Sequence, residues 1–166
     1  MNKECVEIIC GSGRGKTTMA LGKSIRACAH GSSVVIVQFL KGRETGELSY
    51  LSNLNLDIKL FSFEKSNQYY EELDEQERAE QKGNIINGLC FARKVAATRE
   101  CNLLVLDEVL GVLDYGIVQS EDVIQIITKA REEGVYLILT GRSVHPELRE
   151  YVDSVTVVET EDVEEK

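Results

Sequence analysis

The sequence lacks the features that mark membrane proteins, secreted proteins and cysteine-based metal sites. No apolar run approaches the roughly 20 residues of a membrane-spanning helix, and the N-terminal stretch MNKECVEIIC does not resemble a signal peptide. The five cysteines include no C-x-x-C pair, so their spacing indicates neither a disulfide framework nor a metal site. Buried free thiols in a reducing compartment are the expectation, and we expect a cytoplasmic protein.

Positive charge is also scarce. Lys and Arg number 19 against 28 Asp and Glu, which gives a net charge of −9. A field of this sign repels nucleic acids and anionic membranes, so we expect neither as a partner. The acidic C-terminal tail ETEDVEEK, residues 159–166, is expected to be solvated or frayed.

What the sequence does contain is an alternation of short apolar runs with helical patterns. The chain of 166 residues suits one domain, which we place at residues 1–158. Strands are predicted at VEIIC, SVVIVQFL, NLLVLDE, VYLILTG and SVTVV, and helices at residues 16–30, 76–98, 120–133 and 147–151. This pattern predicts an α/β domain with a mostly parallel sheet covered on both faces. The least regular stretch, Gly42 to Asp74, is expected to be a functional or mobile loop region.

The stretch IICGSGRGKTTMALG has the pattern of a strand, a glycine-rich loop and a helix that together bind phosphate. Lys16 adds a cation, and the Thr17 hydroxyl can bind magnesium. The usual motif would begin with glycine at the position of Cys10. The residues expected to bind ATP here are Gly11, Ser12, Gly13, Arg14, Gly15, Lys16, Thr17 and Thr18. With the strand pattern, this loop predicts a P-loop NTPase (RecA-like) three-layer fold.

Two other predicted strands end in polar residues at the same edge of the sheet. LLVLDE delivers Asp107 and Glu108, which with Thr17 form the predicted magnesium site. LILTGRS delivers Arg142, which could contact ATP phosphate, the ribose or a second substrate. A glycine turn with a surface arginine is the alternative for Arg142.

The segment GSGRGKTTMALGKSIRACAHGSSVVIVQFLKG closely resembles the ATP:corrinoid adenosyltransferase family. That family carries G-N-G-K-G-K-T-T, A-x-G, R-A-x-x-H-G and V-Q-F-[IL]-K-G. The downstream TGE (Thr45 to Glu47), VLDE and TGR match in order and rough spacing. In the family the position of Cys10 is likewise not glycine. Cys10 then ends the strand with negative φ, where glycine gives no benefit.

The resemblance implies an unusual use of the phosphate loop. Reduced corrinoid, as Co(I), attacks the ribose C5′ of ATP, and the whole triphosphate leaves. Lys16 and Glu108 would be the catalytic residues, stabilising charge on the triphosphate together with Mg²⁺. No general base is required, because Co(I) is itself the nucleophile. An electron-donating reductase and a homodimer are the further partners to expect.

The corrinoid side of the site is expected after the second strand, where many family members have a tryptophan. This chain has none, and Phe63, Tyr69 and Tyr70 are the candidates to contact corrinoid. The aromatic faces of these residues suit a large flat ligand, although they could equally belong to the core. The family's C-terminal R-P-V-K-H-type segment is replaced by the acidic tail.

Two other functions fit the phosphate loop alone. A small ATPase or kinase would act at the γ-phosphate, and a regulatory protein would bind ATP without turnover. The products formed from ATP distinguish these alternatives from adenosyl transfer.

Overall fold

The computed structural model describes residues 5–40, 50–64, 66 and 68–163. The α-helices and strands in these ranges are β1 (Val6–Cys10), α1 (Lys16–Ala29), β2 (Val34–Gln38), β3 (Ile58–Ser62), α2 (Glu75–Thr98), β4 (Leu103–Asp107), α3 (Val109–Asp114), α4 (Ser120–Glu133), β5 (Tyr136–Thr140) and β6 (Ser154–Val157). Short 3₁₀ turns lie at Leu51–Asn53, Tyr70–Glu72 and Pro146–Tyr151.

The strands form one six-stranded sheet in the order β3-β2-β4-β5-β1-β6. Every neighbouring pair is parallel, which confirms the predicted parallel α/β architecture. Because the strands are parallel, their carboxyl ends meet at one edge of the sheet, where α/β proteins usually bind ligands. Strands β1, β4 and β5 lie side by side in the middle of the sheet, so the polar residues that follow them converge there.

The core lies on both faces of the sheet, as a three-layer fold requires. Alternate strand residues such as Ile8 and Leu104 pack with α2 and α4, whereas Ile9 and Val105 pack with α1 on the opposite face. The central strands are consequently buried along their whole length, which is why they appear in the sequence as continuous apolar runs.

Helix ends follow local hydrogen-bonding signals. Helix α2 begins one residue earlier than predicted, because Asp74 accepts a hydrogen bond from the backbone N–H of Glu77 at 2.8 Å. The Glu77 carboxylate in return accepts from the Asp74 N–H at 3.0 Å, which completes a capping box. Helix α4 occupies the predicted residues and stops at Gly134, whose φ of 69° favours glycine.

The region predicted to be irregular contains strand β3 at the edge of the sheet. Its residues are exposed or half-buried, so the sequence carries no buried-strand signal there. Helix α3 was also not predicted, because it is only six residues long and directly follows β4. Residues 41–49, which include the Thr45–Glu47 motif, lie outside the described residues.

The cysteines are all free, but the expectation that they are buried holds only in part. Cys10 and Cys101 are buried, Cys5 and Cys28 are half-buried, and Cys90 is exposed on α2. Burial raises the pKa of the Cys101 thiol to about 11, so it stays protonated at neutral pH.

Among the described residues, no helix combines the length and the apolar character needed to cross a bilayer.

Candidate active site

A cavity of about 580 Å³ opens at the carboxyl edge of the sheet, above β1, β4 and β5. This volume is in the range of small-molecule sites. The residues that line it are Ser12, Gly13, Arg14, Gly15, Lys16, Thr17, Thr18, Glu108 and Arg142. The structure therefore brings most of the sequence-predicted site together, with Gly11 buried at the base of the loop.

The loop connects a buried strand to the N-terminus of a helix. Cys10 is the last residue of β1 and is 5% exposed. Its φ is not among the positive values, so its predicted place at the end of the strand is confirmed. The positive φ begins at Gly11, at 121°, and recurs at Gly15, at 100°, where α1 starts. Glycine is required at both points, and the helix N-terminus favours an anion.

Lys16 lies at the first position of α1, and its side chain folds back over the loop. The Nζ atom donates to the carbonyl oxygens of Gly11 at 2.8 Å and Gly13 at 2.7 Å. The ammonium group is therefore held at the centre of the turn rather than extended into solvent. This places a positive charge beside the loop N–H groups.

Asp107 ends β4 and is 1% exposed, yet it is well hydrogen-bonded. Its Oδ1 accepts from the hydroxyl groups of Thr17 at 3.0 Å and Thr140 at 2.7 Å. Gln38, its register partner on β2, donates to Oδ2 at 3.4 Å. These donors satisfy a carboxylate that would otherwise be costly to bury.

Glu108 turns away from Asp107 because its backbone adopts the left-handed region, with φ 61°. This conformation is uncommon outside glycine and is often found at functional sites. The Glu108 N–H donates to the Thr140 hydroxyl at 2.8 Å, so one threonine holds both acidic residues. The two predicted acidic residues thus have different surroundings. Asp107 accepts a hydrogen bond from Thr17, whereas Glu108 lines the cavity.

Gln38 and Thr140 are site residues that were not predicted from the sequence, although both end strands next to β4. Residues at equivalent ends of adjacent parallel strands are neighbours, and that rule could have indicated them.

Arg142 connects the cavity to a group of aromatic and acidic side chains. Its carbonyl accepts from the Gly11 N–H at 2.9 Å, which ties it to the loop. The Tyr115 hydroxyl donates to the Glu71 carboxylate, and this hydrogen bond lowers the pKa of Glu71, with a smaller contribution from Arg142. Desolvation, followed by its interaction with Glu71, raises the pKa of Tyr115 to about 12.

The three aromatic candidates lie in different surroundings. The ring of Tyr70 packs on Tyr115 at 4.8 Å between centroids, and its neighbour Tyr69 is half exposed. Phe63 instead packs 5.7 Å from Phe91 and against Gly88 of α2. Tyr70 therefore reaches the Arg142 side of the site through Tyr115, a residue that the sequence did not indicate.

The acidic tail is exposed, as predicted, but its first residues are not frayed from the domain. The Arg14 N–H donates to the Thr160 hydroxyl at 2.8 Å. The Arg14 guanidinium pairs with Asp162 at 2.7 Å. The tail thus begins on the phosphate loop, which the spacing of the motifs could not show.

Comparison with known proteins agrees with this geometry. The fold is similar to that of the KaiC-like protein PH0186 of Pyrococcus horikoshii OT3, with a TM-score of 0.57 and 19% identity over 98% of this chain and 76% of that one. This likeness shows the fold. The corrinoid adenosyltransferase of Escherichia coli K12 is 28% identical over 150 residues, covering 90% of this chain and 73% of that protein.

Two further relatives have similar names and similar levels of identity. Corrinoid adenosyltransferase CobA of Salmonella typhimurium is 29% identical, over 90% of this chain and 73% of its own length. The corrinoid adenosyltransferase of Pseudomonas aeruginosa is 29% identical, over 88% and 70%. The family model for ATP:corrinoid adenosyltransferase BtuR/CobO/CobP matches residues 2–163, nearly the whole chain. This chain belongs to the ATP:corrinoid adenosyltransferase family.

Proposed function

We propose that this enzyme transfers the 5′-deoxyadenosyl group of ATP to the Co(I) centre of a reduced corrinoid. The cobalt electron pair forms a Co–C5′ bond, the C5′–O bond breaks, and triphosphate leaves with that bonding pair. Cobalt thereby becomes formally Co(III). The observation that carries the proposal is a cavity that unites a phosphate loop, Glu108 and Arg142 in a chain of this family.

ATP would bind with its phosphates on the loop at the start of α1. The backbone N–H groups of residues 14–18 and the helix N-terminus provide donors and partial positive charge. Lys16 would exchange its present carbonyl acceptors for phosphate oxygens, which make stronger charge-assisted hydrogen bonds. Arg142 lines the same cavity and adds a second cation.

Magnesium fits the oxygen donors that converge below the loop. The Thr17 hydroxyl and Asp107 carboxylate lie 3.0 Å apart, and such hard oxygen ligands, completed by phosphate and water, suit Mg²⁺. Glu108, which lines the cavity, would contribute through a water molecule. Bound Mg²⁺ would neutralise part of the charge that develops on the triphosphate.

The chain's own contribution to rate is positioning and electrostatic stabilisation. Lys16 and the loop N–H groups would stabilise the leaving triphosphate more strongly than bound ATP, which is the condition for lowering the barrier. Thr140 keeps Asp107 and Glu108 in place through its two hydrogen bonds. The nucleophile brings its own electron pair, so no side chain needs to remove a proton.

The corrinoid would lie on the Arg142 side of the cavity. Tyr70, whose ring packs at a tilt against Tyr115, offers an aromatic surface there, with Tyr69 beside it and Phe63 as the remaining candidate. Co(I) must be supplied by an electron donor, and we propose a reductase as that partner. A homodimer is the proposed assembly.

The reaction is tested by anaerobic incubation with ATP, Mg²⁺ and chemically reduced cobalamin. The corrinoid spectrum should change from Co(I) to alkylated Co(III) while chromatography shows triphosphate accumulating at a matching rate. ADP and orthophosphate formed with or without corrinoid would instead identify an ATPase or kinase. ATP binding without any product across several corrinoids would identify a regulatory protein.

The corrinoid side is tested separately with Tyr70→Leu. Loss of the aromatic surface should raise the KM for corrinoid by about 2- to 12-fold, the equivalent of one ring contact, and leave the KM for ATP unchanged. Tyr50→Leu, at a tyrosine that is 71% exposed, is the matched control. An unchanged corrinoid KM in Tyr70→Leu would place the corrinoid elsewhere.

A further inference from the structure

The C-terminal segment contacts the phosphate loop, and its acidic part does so at donors of Arg14 that phosphate would use. The Gly13 N–H donates to the Val158 carbonyl at 2.9 Å, and the Arg14 N–H donates to the Thr160 hydroxyl at 2.8 Å. The Arg14 guanidinium is 2.7 Å from the Asp162 carboxylate. A hydroxyl and a carboxylate on backbone N–H and guanidinium donors reproduce the contacts expected of a phosphate.

Two loop glycines are required by this segment. A Cβ on Gly11 would lie 2.2 Å from the Val158 carbonyl oxygen, and one on Gly13 would lie 2.7 Å from the backbone of Glu159. At Gly15 a Cβ would meet no atom of the described residues within 4 Å, and only its φ of 100° requires glycine. The close backbone approach at Gly11 and Gly13 is thus made to the protein's own C-terminal segment.

The remaining cation of the loop is also engaged within the protein. Lys16 donates to the carbonyls of Gly11 and Gly13. In this structure Lys16, the Arg14 side chain and the N–H groups of Gly13 and Arg14 all have protein partners. ATP must therefore replace intramolecular bonds, and its net affinity is lowered by what those bonds contribute.

The part of the segment that can be displaced begins after Val158. Val158 itself is anchored, because its N–H donates to the Cys10 carbonyl at 2.7 Å and extends the pairing of β6 with β1. Thr160 and Asp162 are exposed, and the Arg14–Asp162 pair has side chains 78% and 83% exposed. Exposed contacts of this kind are individually weak and can open readily.

We propose that residues 159–162 act as an internal competitor for the phosphate loop, which the triphosphate of ATP displaces when it binds. The proposal rests on the proposed function, since it requires ATP to bind at this loop. Thr160 occupies the position of a phosphate oxygen on the Arg14 N–H, and Asp162 neutralises the Arg14 side chain. Displacement frees Arg14 to contact the substrate.

The test measures MgATP affinity by calorimetry, without corrinoid, for the full chain and for a chain ending at Val158. Truncation should tighten binding by about 5- to 30-fold, the sum expected for one hydrogen bond and one exposed ion pair. Thr160→Val and Asp162→Asn should each tighten it by about 2- to 5-fold. Glu161→Gln removes the same charge from the same segment without touching either contact, and should change the affinity by less than about twofold.

NMR chemical shifts provide a second measurement on the unaltered chain. The resonances of residues 159–163 should move toward random-coil values when ATP binds, because the segment leaves the loop. Equal ATP affinity in all variants, or weaker binding after truncation, would overturn the inference and make the segment a passive support. If no variant, nor the full chain, binds ATP, the proposed function itself is wrong, so the two failures are distinguishable.

Discussion

The two sides of the candidate site are built differently. On the phosphate side, strand ends and loop backbone are joined by hydrogen bonds such as those of Asp107 with Thr17 and Thr140. On the proposed corrinoid side, the described part of residues 63–72 contains a short 3₁₀ turn and irregular backbone. There, both carboxylate oxygens of Glu64 are buried without a hydrogen-bond partner among the described residues.

This difference shows which part of the site is determined by backbone and which by side chains. The phosphate side repeats the geometry of a strand, a turn and a helix, and its donors are mostly N–H groups. The corrinoid side depends on which side chains meet across Tyr70, Glu71 and Tyr115. Substitutions on the phosphate side should therefore change ATP binding or turnover, whereas those on the other side should change corrinoid binding or local stability.

The largest effect is expected from Lys16→Ala. Loss of a charge-assisted contact to phosphate should weaken ATP binding by about 30- to 150-fold, equivalent to about 2–3 kcal/mol. Lys129→Ala, on the surface of α4, is the matched control for calorimetric titration. An affinity within about twofold of the parent would contradict the assignment of the phosphate loop.

Glu108→Gln should affect turnover rather than binding. Weaker support of magnesium where charge develops should lower kcat by about 10- to 100-fold, with little change in corrinoid affinity. Single-turnover spectroscopy of cobalt alkylation, with corrinoid affinity measured in parallel, gives both quantities. Glu147→Gln is the control for loss of charge, because Glu147 is exposed and does not line the cavity. A normal kcat would contradict this role of Glu108. A loss confined to corrinoid affinity would place Glu108 on the corrinoid side of the site.

Glu64→Gln should change the pH dependence of stability. Burial raises the pKa of Glu64 to about 7 from an ordinary 4.5. The folded protein therefore holds a proton at pH values where the unfolded chain has released it. The neutral carboxyl contributes stability to the folded state that is complete below about pH 4.5 and is lost as the pH rises through about 7.

Glutamine stays neutral, so above pH 7 the variant should melt higher than the parent by about 2–4 °C, allowing for solvent screening of a partly exposed group. The two melting temperatures should converge at the acid end of a series measured by circular dichroism. Melting curves that differ equally at every pH would show that Glu64 is not the titrating group.

Cys10→Thr should have the smallest effect. Cys10 ends β1 without a positive φ, so a residue of similar volume with strand preference can replace it, and ATP affinity should stay within about twofold. Gly11→Ala is the contrasting variant, because φ there is 121° and the added Cβ would clash with Val158. A large loss of affinity in folded Cys10→Thr would show that the thiol itself contributes to the loop.

Much of this arrangement could be predicted from the sequence. Five strands, the long helices and the convergence of Lys16, Glu108 and Arg142 on one cavity follow from local patterns and the geometry of parallel sheets. Strand β3 could not be recognised, because an edge strand is only partly buried and lacks the continuous apolar run. The left-handed φ of Glu108 likewise has no sequence signal, since it accompanies a hydrogen bond from the Glu108 N–H to Thr140 on β5.

The phosphate loop, the parallel α/β architecture and the family resemblance can all be read from the amino-acid order, because they depend on short-range spacing of glycines, apolar residues and charges. Three contacts needed the folded chain: Thr140 holds both Asp107 and Glu108, Tyr115 meets Glu71, and the acidic tail lies on the loop through Thr160. These contacts join residues far apart in the chain, and their geometry arises only when folding brings the segments that carry them together.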